Sequence, residues 1–405
     1  MSTVTPTDWQ TRPAPRAAED WIARAAEVAA VLATDAAERD RTGATPYAEV
    51  QLLKDSGLVT LLGPTEHGGG GEDWPTAYRV VREVAKADGS IGQLLGYHYL
   101  WNWAARLVGT REQWEHVEAE AARGRWFFGG AVNPRDKDVV VTEDGDDLVF
   151  TGRKSFSTGS KVSDVTVLEG VFEGTDQHVF AIVPSDSQGL TFHDDWDNIG
   201  QRLTESGGVT LDGVRTPWSS AAGYVDKEFR PRIYNTLNVP TIQLVFVNFY
   251  LGIAGGALET AATYTRTKSR SWLHGGHERA VDEPYVIDVY GDLTAKLWAV
   301  EALADTVGAE GQKLHADPDA VTEKTRGDFE VRVAAVKARA TDVALEISNR
   351  IFEVTGARST ATVEGLDRFW RNVRTHTLHD PVAYKRREVG RWVLESELPE
   401  PTWYS

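Results

Sequence analysis

A chain of 405 residues with 41% apolar side chains is long enough for two or three domains, each with a core of its own. Without cysteine it has no disulfide, thiolate metal site or cysteine nucleophile, and it suits a reducing, cytoplasmic compartment. Its formal charge of −17 runs against a nucleic-acid partner, because phosphate binding needs clustered Lys and Arg.

Residues 1–16 mix charge with proline and lack the apolar segment of a secretory signal, so they read as a flexible arm. Residues 17–125 read as a helical domain, with apolar residues at three- and four-residue spacing in "WIARAAEVAAVLATDAAERD" and "YAEVQLLKDSGLVTLL". Between these helices, "PTEHGGGGEDWP" is a loop, either a lid or a turn, since four successive glycines cannot continue a helix. Residues 126–228 change texture. Short β-branched runs such as "DVTVLEGVF", "HVFAIVP" and "GVTLDGV" predict a small antiparallel β domain, with a hairpin turn at "EDGDD". Residues 229–396 return to helices, at roughly 233–272, 282–314, 321–355 and 364–394, as in a four-helix bundle. Residues 397–405 are a tail.

The stretch Ile233 to Leu258 carries no charge and is apolar enough for a membrane span. Asn235, Asn238, Gln243 and Asn248, with Pro240 near the start, predict instead a helix buried inside a protein that does not enter a membrane. Such a helix lies at a bundle centre or a subunit interface, so an oligomer is expected. No G-x-G-x-x-G follows a strand, and there is no Walker loop, G-x-S-x-G elbow or H-E-x-x-H helix. In "RFWRNVRTHTLHDP" (368–381), His376 and His379 stand three apart before Asp380 and Pro381. Two such histidines can share a metal, but a catalytic metal usually needs a third ligand and only Asp380 is offered, so no metal is expected. Capping at the helix end and proton chemistry are the other roles.

The helix–strand–helix order, with "TGRKSFSTGSKVSD" (151–164), "NIGQRLTESGGVTLDGV" (198–214) and "YTRTKSRSW" (264–272), resembles the acyl-CoA dehydrogenase superfamily of flavoproteins almost end to end. "GEDWPTA" (71–77), "ADGSIGQLLGYH" (87–98) and "RFWRNVRTHTLHDPVAYK" (368–385) resemble its dibenzothiophene monooxygenase branch. The resemblance implies an acyl-CoA dehydrogenase-like fold: an N-terminal all-α domain, a central antiparallel β-barrel-like domain and a C-terminal four-helix bundle. It implies a two-component monooxygenase in which a separate NAD(P)H:flavin reductase supplies FMNH2 or FADH2. The reduced flavin reacts with O2 to a C4a-(hydro)peroxyflavin, which oxygenates a small aromatic heterocycle, at thiophene sulfur or on an indole-type ring. A homotetramer, a dimer of dimers in which one subunit completes another's flavin site, is part of the same implication.

The resemblance also assigns residues. Phe156 and Thr158 fall where the family sets an aromatic and a hydroxyl against the flavin, with Ser157 beside them. Phe128, Gly130 and Val132 of "WFFGGAVNP" (126–134) fall along its pyrimidine edge. There the dibenzothiophene enzymes carry Asn and Ser where this chain has Gly130 and Val132, so backbone amides must serve or the pocket has changed shape. Arg270 and Arg358, with Gly356 before the latter, match phosphate-side positions; guanidinium forks suit phosphate and stay charged. Gln93 replaces a family histidine, Tyr97 is kept, and Trp196 and Trp403 fall near the pocket. His379 and Asp380 occupy the tyrosine and catalytic-glutamate positions of the dehydrogenases. An aspartate locked before proline is a poor replacement for a base that must reach over the flavin, whereas an imidazole titrating near neutrality suits proton transfer. His379 is therefore expected as the acid–base residue, His376 as its neighbour or orienter, Tyr97 and Thr158 as partners, and Asp380 as the holder of a histidine tautomer. A true acyl-CoA dehydrogenase, opposed by the missing glutamate, an N-hydroxylase on the same scaffold, and a non-enzymatic scaffold are the competing readings.

Overall fold

The computed structural model of the chain describes residue 9 and residues 12–402. The N-terminal helices are α1 (Ala18–Leu32), α2 (Ala36–Thr42), α3 (Tyr47–Asp55), α4 (Trp74–Ala87), α5 (Gly89–Val108) and α6 (Arg111–Gly124). Local chemistry decides where α4 and α5 begin. Asp73 accepts a hydrogen bond from the Thr76 amide at 3.0 Å, and Pro75 supplies a preformed φ in the first turn of α4. Asp88 alone separates the two helices; its carboxylate caps the Ser90 and Ile91 amides at 3.0 and 3.2 Å and pairs with Arg39 at 2.8 Å. The four-glycine stretch is a packed turn rather than a lid. The Gly70 and Gly71 amides donate to the Thr60 and Gly63 carbonyls at 2.8 Å, and a Cβ on Gly69 would meet the Gly63 backbone at 2.2 Å. Close backbone approach is what requires glycine there.

Strands β1 (Phe128–Ala131), β2 (Val139–Asp144), β3 (Asp147–Lys154), β4 (Val165–Phe172), β5 (His178–Pro184), β6 (Leu190–Phe192) and β7 (Val209–Pro217) form one sheet. A two-stranded ribbon follows, β8 (Tyr224–Val225) and β9 (Glu228–Phe229). The β2–β3 hairpin turns through Gly145, at φ 67°, and Asp146, as "EDGDD" predicts. The expectation of a wholly antiparallel domain is corrected: the sheet is mixed. One edge of β4 pairs antiparallel with β5, while the other is shared in parallel, first by β1 and then by β2. β-branched runs mark a strand but say nothing of its partner's direction, which here follows from β1 entering the sheet straight from α6.

The C-terminal helices are α7 (Asn238–Thr267), α8 (Pro284–Ala316), α9 (Glu323–Thr355), α10 (Asp367–His376) and α11 (Val382–Glu395). The fourth helix of the expected bundle is thus two pieces, broken at the turn before Pro381, whose ring cannot continue the helical ladder. α7 is the centre of the molecule. The helix over 233–267 is the one described helix long and apolar enough to cross a membrane, and 94% of its most apolar window is buried inside the chain. It packs against α4, α5, α8, α9 and α10. The lack of charge from Ile233 to Leu258 is therefore explained within one chain, and that stretch by itself does not call for an oligomer. Glycines bring the helices together: a Cβ on Gly96 would lie 2.4 Å from Val245, and one on Gly252 would lie 2.3 Å from the Arg82 carbonyl. Two amides of α7 and the turn before it are partnered in the core. Asn248 accepts from buried Arg82 at 2.7 and 3.2 Å, and Asn235 donates to the Leu107 carbonyl at 2.5 Å.

Asn248→Leu fills the same space but leaves the Arg82 guanidinium short of an acceptor in the core. A loss of about 2 kcal/mol is expected, read as a lower denaturant midpoint, because stranding a buried charged donor costs about 1–3 kcal/mol; an unchanged midpoint would show that Asp305, the second Arg82 partner at 2.7 Å, suffices.

Candidate active site

α5, α7, α10 with its following turn, and the β1 edge converge on one buried constellation. Its hub is His376, at the end of α10. Nε2 lies 3.1 Å from the Tyr97 hydroxyl on α5, and Nδ1 lies 2.7 Å from the Tyr250 hydroxyl on α7. With both nitrogens engaged and the ring buried, desolvation pushes His376 well below the usual imidazole range, aided by His379 and Lys337, so it is neutral. Burial likewise pushes the Tyr250 hydroxyl well above its usual range. The Phe246 ring stacks on Tyr97 at 5.7 Å and meets His376 and His379 at 4.5 and 5.0 Å.

His379 is different. It lies parallel to His376 at 5.5 Å, is 43% exposed, and puts Nδ1 3.5 Å from Asp380 Oδ1. Asp380 is not devoted to a histidine tautomer as expected. It is ion-paired with Lys337 of α9, a side chain only 2% exposed. Burial opposes its ionisation, but His379 and Lys337 together hold its carboxyl well below the usual carboxylate range.

On the sheet side, the turn 156–160 abuts β1. The Thr158 carbonyl accepts from the Gly130 amide at 3.2 Å, and its hydroxyl is 2.8 Å from Ser206, in a chain that continues to Thr204 and the Gln201 carbonyl. Ser157 donates to the Gly207 carbonyl at 2.7 Å. Phe156 is exposed, and its ring meets Trp196 edge-on at 6.4 Å. Trp196 is itself fixed by donating to the Gln201 carbonyl at 2.7 Å. Gly130 has a steric reason: a Cβ there would lie 2.3 Å from the Trp101 indole. Val132 is half-buried against the main core. Phe128 is buried, and its amide donates to His98 Nδ1 at 3.0 Å; its ring is a core group in this chain. His98 also contacts the Val59 carbonyl at 2.8 Å, and burial lowers it to about 4.

Several polar atoms around these rings have no protein partner though fully buried: Gln93 Oε1 and Trp101 Nε1 on α5, Gln243 Oε1 on α7, and Ser160 Oγ. Gln93, Tyr97 and Trp101 follow at four-residue spacing and so share one face of α5. Aromatic walls with unpaired donors and acceptors between them suit a flat molecule with a polar edge. An open cleft of about 950 Å³ lies elsewhere, between α1, α2 and the end of α7, and is lined by none of the predicted site residues.

Arg270, Gly356 and Arg358 form a separate group at the far ends of α7 and α9. Arg358 donates to the Lys268 carbonyl at 2.6 Å, Ser269 donates to the Thr355 carbonyl at 3.1 Å, and Gly356 takes φ 80°. Tyr250 and Thr267 are separated by about 25 Å of helix at 1.5 Å per residue, so these arginines do not join the histidines within one chain. Trp403 lies outside the described residues.

The pattern of "Acyl-CoA dehydrogenase, N-terminal domain" matches residues 19–125, and that of "Acyl-CoA dehydrogenase, C-terminal domain" matches residues 244–383. Dibenzothiophene monooxygenase of Rhodococcus erythropolis is 40% identical over all of both chains. The structure of methanesulfinate monooxygenase MsuC from Pseudomonas fluorescens superposes with a TM-score of 0.91 at 40% identity, covering 95% of this chain and 99% of that one. TdsC from Paenibacillus sp. A11-2, in complex with FMN and indole, superposes with a TM-score of 0.89 at 39% identity, covering 95% and 100%. The chain belongs to the acyl-CoA dehydrogenase family.

Within this family, Tyr250, Phe246, Trp101 and Lys337 are the members of the constellation that the sequence reading missed. Tyr250 and Phe246 sit in the uncharged stretch of α7, where any ring reads as core. Lys337 left a signal: it interrupts "VRVAAVKARATDV" on the face shared by Val333, Ala334, Ala340 and Thr341, all buried.

The buried imidazoles carry a pH signature. His376, His98 and His315, the last lowered to about 3 chiefly by burial, are uncharged when folded, yet take a proton near pH 6.5 when unfolded. Their contribution to stability is complete above about pH 6.5 and is lost as pH falls through the window toward the folded values, by about 1.4 kcal/mol per unit for each. Denaturation midpoints should fall between pH 7 and 5.5, above the range in which carboxylates titrate. His315→Gln should shallow that slope by about one proton; equal slopes would contradict the assignment.

Proposed function

We propose that this protein is a two-component flavin-dependent monooxygenase that takes FMNH2 from a separate NAD(P)H:flavin reductase in the cytoplasm and oxygenates a small aromatic heterocycle. One observation carries the reading against a dehydrogenase. Asp380, in the position where the dehydrogenases need a free carboxylate base, is paired to buried Lys337, and the side chain beside it is the imidazole of His379. The full-length similarity to enzymes named as monooxygenases supports the same choice.

Reduced flavin, when bound, supplies the electrons that activate O2. The chain's own residues do the rest. The ring would lie against Phe156 and the turn at Thr158, whose hydroxyl keeps a free lone pair beyond its bond to Ser206. Gln93, Trp101, Gln243 and Ser160 offer donors and acceptors to the flavin edge or the substrate, and satisfying them is favourable because each is already stripped of water. Tyr97, Phe246 and Trp101 form the apolar wall that keeps water from the reacting atoms, which matters because a wet site diverts reduced flavin and O2 to hydrogen peroxide. His379 gives or takes the proton, and neutral His376 holds it in register by stacking.

Oligomerisation is part of this proposal. Arg270 and Arg358 lie too far from the histidines to reach the same flavin, so a second subunit would bring them to the phosphate. Exposed Ile287 and Trp298 on α8 and Trp392, Val393 and Leu394 on α11 are surfaces such a homotetramer would cover.

The test supplies the protein with a flavin reductase, NADH and air, and follows indole, benzothiophene, dibenzothiophene, an aryl amine and methanesulfinate by mass spectrometry. Oxygenated indole or thiophene is expected, and wild-type protein that only speeds NADH consumption would refute the proposal. His379→Ala should lower product at least tenfold while peroxide release rises, the size usual for loss of a proton-transfer group. Unchanged coupling would remove His379 from the chemistry. Dye reduction by acyl-CoA without oxygen would restore the dehydrogenase reading.

A further inference from the structure

Lys337 is the least expected member of the constellation. A lysine on the buried face of a central helix needs a partner, since an isolated ammonium is costly to remove from water and an apolar side chain would pack the same space without that cost. The partner is Asp380, and the ammonium also stands 5.3 Å from the Phe246 ring that touches both histidines. The carboxylate therefore has two claimants on Oδ1: Lys337, and His379 Nδ1 at 3.5 Å. Its other oxygen is buried and unpartnered.

The surrounding charged and titratable groups leave that competition local. They are Tyr97 on α5, Tyr250 on α7, Glu330 on α9, Arg374 and His376 on α10, and Lys385 and Glu388 on α11. Tyr97 and Tyr250 are committed to His376. Lys385 is committed to Glu330 and Glu388, at 2.9 and 3.1 Å, and Arg374 donates to Thr377 at 2.8 Å. Among the described residues, Asp380 is thus the carboxylate in contact with His379. Unopposed, a carboxylate at this distance would stabilise the imidazolium and hold its proton, whereas a group that cycles protons has to release it at working pH.

We propose that Lys337 is a positioning residue that competes with His379 for Asp380, and so keeps the His379 imidazole free to exchange its proton. This rests on the acid–base reading of His379 given above, but its first test does not. In flavin-free, full-length protein labelled at histidine Cε1, the His379 resonance, identified by its loss in His379→Gln, is followed by NMR from pH 5 to 9. Lys337→Met removes the charge and should raise the His379 midpoint by about half a unit or more, as expected when a neighbouring carboxylate loses its counter-ion. Lys337→Gln, which can still hydrogen-bond Asp380, should raise it equally, and Lys337→Arg should leave it in place. A midpoint that is unchanged or lower in either folded uncharged variant overturns the proposal. If neither folds, Asp380→Asn must lower the midpoint, and an unmoved midpoint overturns it just as directly.

In the reductase-coupled assay, the pH profile of the product-to-peroxide ratio should move in the same direction as the NMR midpoint, which loss of packing alone would not produce. A wild-type protein that makes no oxygenated product refutes the functional reading while the NMR result stands. An active wild type with superimposable profiles for Lys337→Met overturns the role of Lys337 alone.

Discussion

An imidazole sealed from water must find both of its hydrogen bonds inside the protein, and His376 finds them on two different helices. Because Tyr97 belongs to α5 and Tyr250 to α7, the ring fixes the end of α10 against both at once. Neither tyrosine can be displaced without leaving a buried nitrogen unpaired, which is more costly than the bond itself is stabilising. The constraint propagates. With His376 fixed, the turn that follows can bring His379 parallel to it and set Asp380 against α9, where the buried Lys337 ammonium meets the largely buried carboxylate.

The sheet joins this helical frame through contacts that depend on backbone rather than on large side chains. His98 bridges the Val59 carbonyl and the Phe128 amide, so β1 is hydrogen-bonded to α5 through the residue next to Tyr97. A Cβ on Gly129 would meet Ser160 at 2.4 Å, and one on Gly200 would meet the Arg371 carbonyl at 2.1 Å. The loop carrying Gly200 is tied to α10 by Gln201, whose amide donates to Asn372 at 2.7 Å in a left-handed conformation (φ 54°). Strain of this kind at a non-glycine residue persists where the surroundings over-determine it. Beneath the β1 loop, Lys154 joins Glu169 and Asp136, and Glu169 in turn meets His178 at 2.6 Å, a buried ion network that anchors Asn133. Thr158 and Gly130 are therefore held by the same frame that holds the histidines.

The legible part of this structure was the part written in local chemistry. Helix and strand territories follow from periodicity, the hairpin from Gly145, the start of α4 from Asp73 and Pro75, and the burial of α7 from asparagines no bilayer would tolerate. Strand direction was not legible, because one edge of β4 is divided between β1 and β2 by long-range pairing that leaves no trace in composition. Nor was the break between α10 and α11 as a change of chain direction, although Pro381 marks the place. At the site, the motif around His376 and His379 drew attention to the right turn, yet their inequality is a tertiary fact: three residues apart in sequence, one is sealed and neutral while the other is 43% exposed. The loss of side-chain polarity at Gly130 was read as a change in how a cofactor edge is met. The nearer cause is Trp101, whose indole fills the space a Cβ would need.

The same fold can serve two chemistries because the turn after α10 sets the charge balance of the pocket. A dehydrogenase needs an unpaired carboxylate there, poised over the substrate and costly to bury. In this chain the carboxylate is one methylene shorter, held before proline and neutralised by a lysine from the neighbouring helix, so the site gains no net negative charge from it. A negatively charged ligand would then not be opposed by an uncompensated anion at Asp380, and the side chain beside that carboxylate is the half-exposed imidazole of His379. Its neutral, stacked neighbour adds position without adding charge. That asymmetry follows from burial: had both histidines been equally open to water, each would titrate, and protonation of one would suppress protonation of the other at 5.5 Å. Burial of His376 against Tyr97 and Tyr250 thus leaves His379 as the exposed member of the stacked pair, at the side of the pair that meets Asp380.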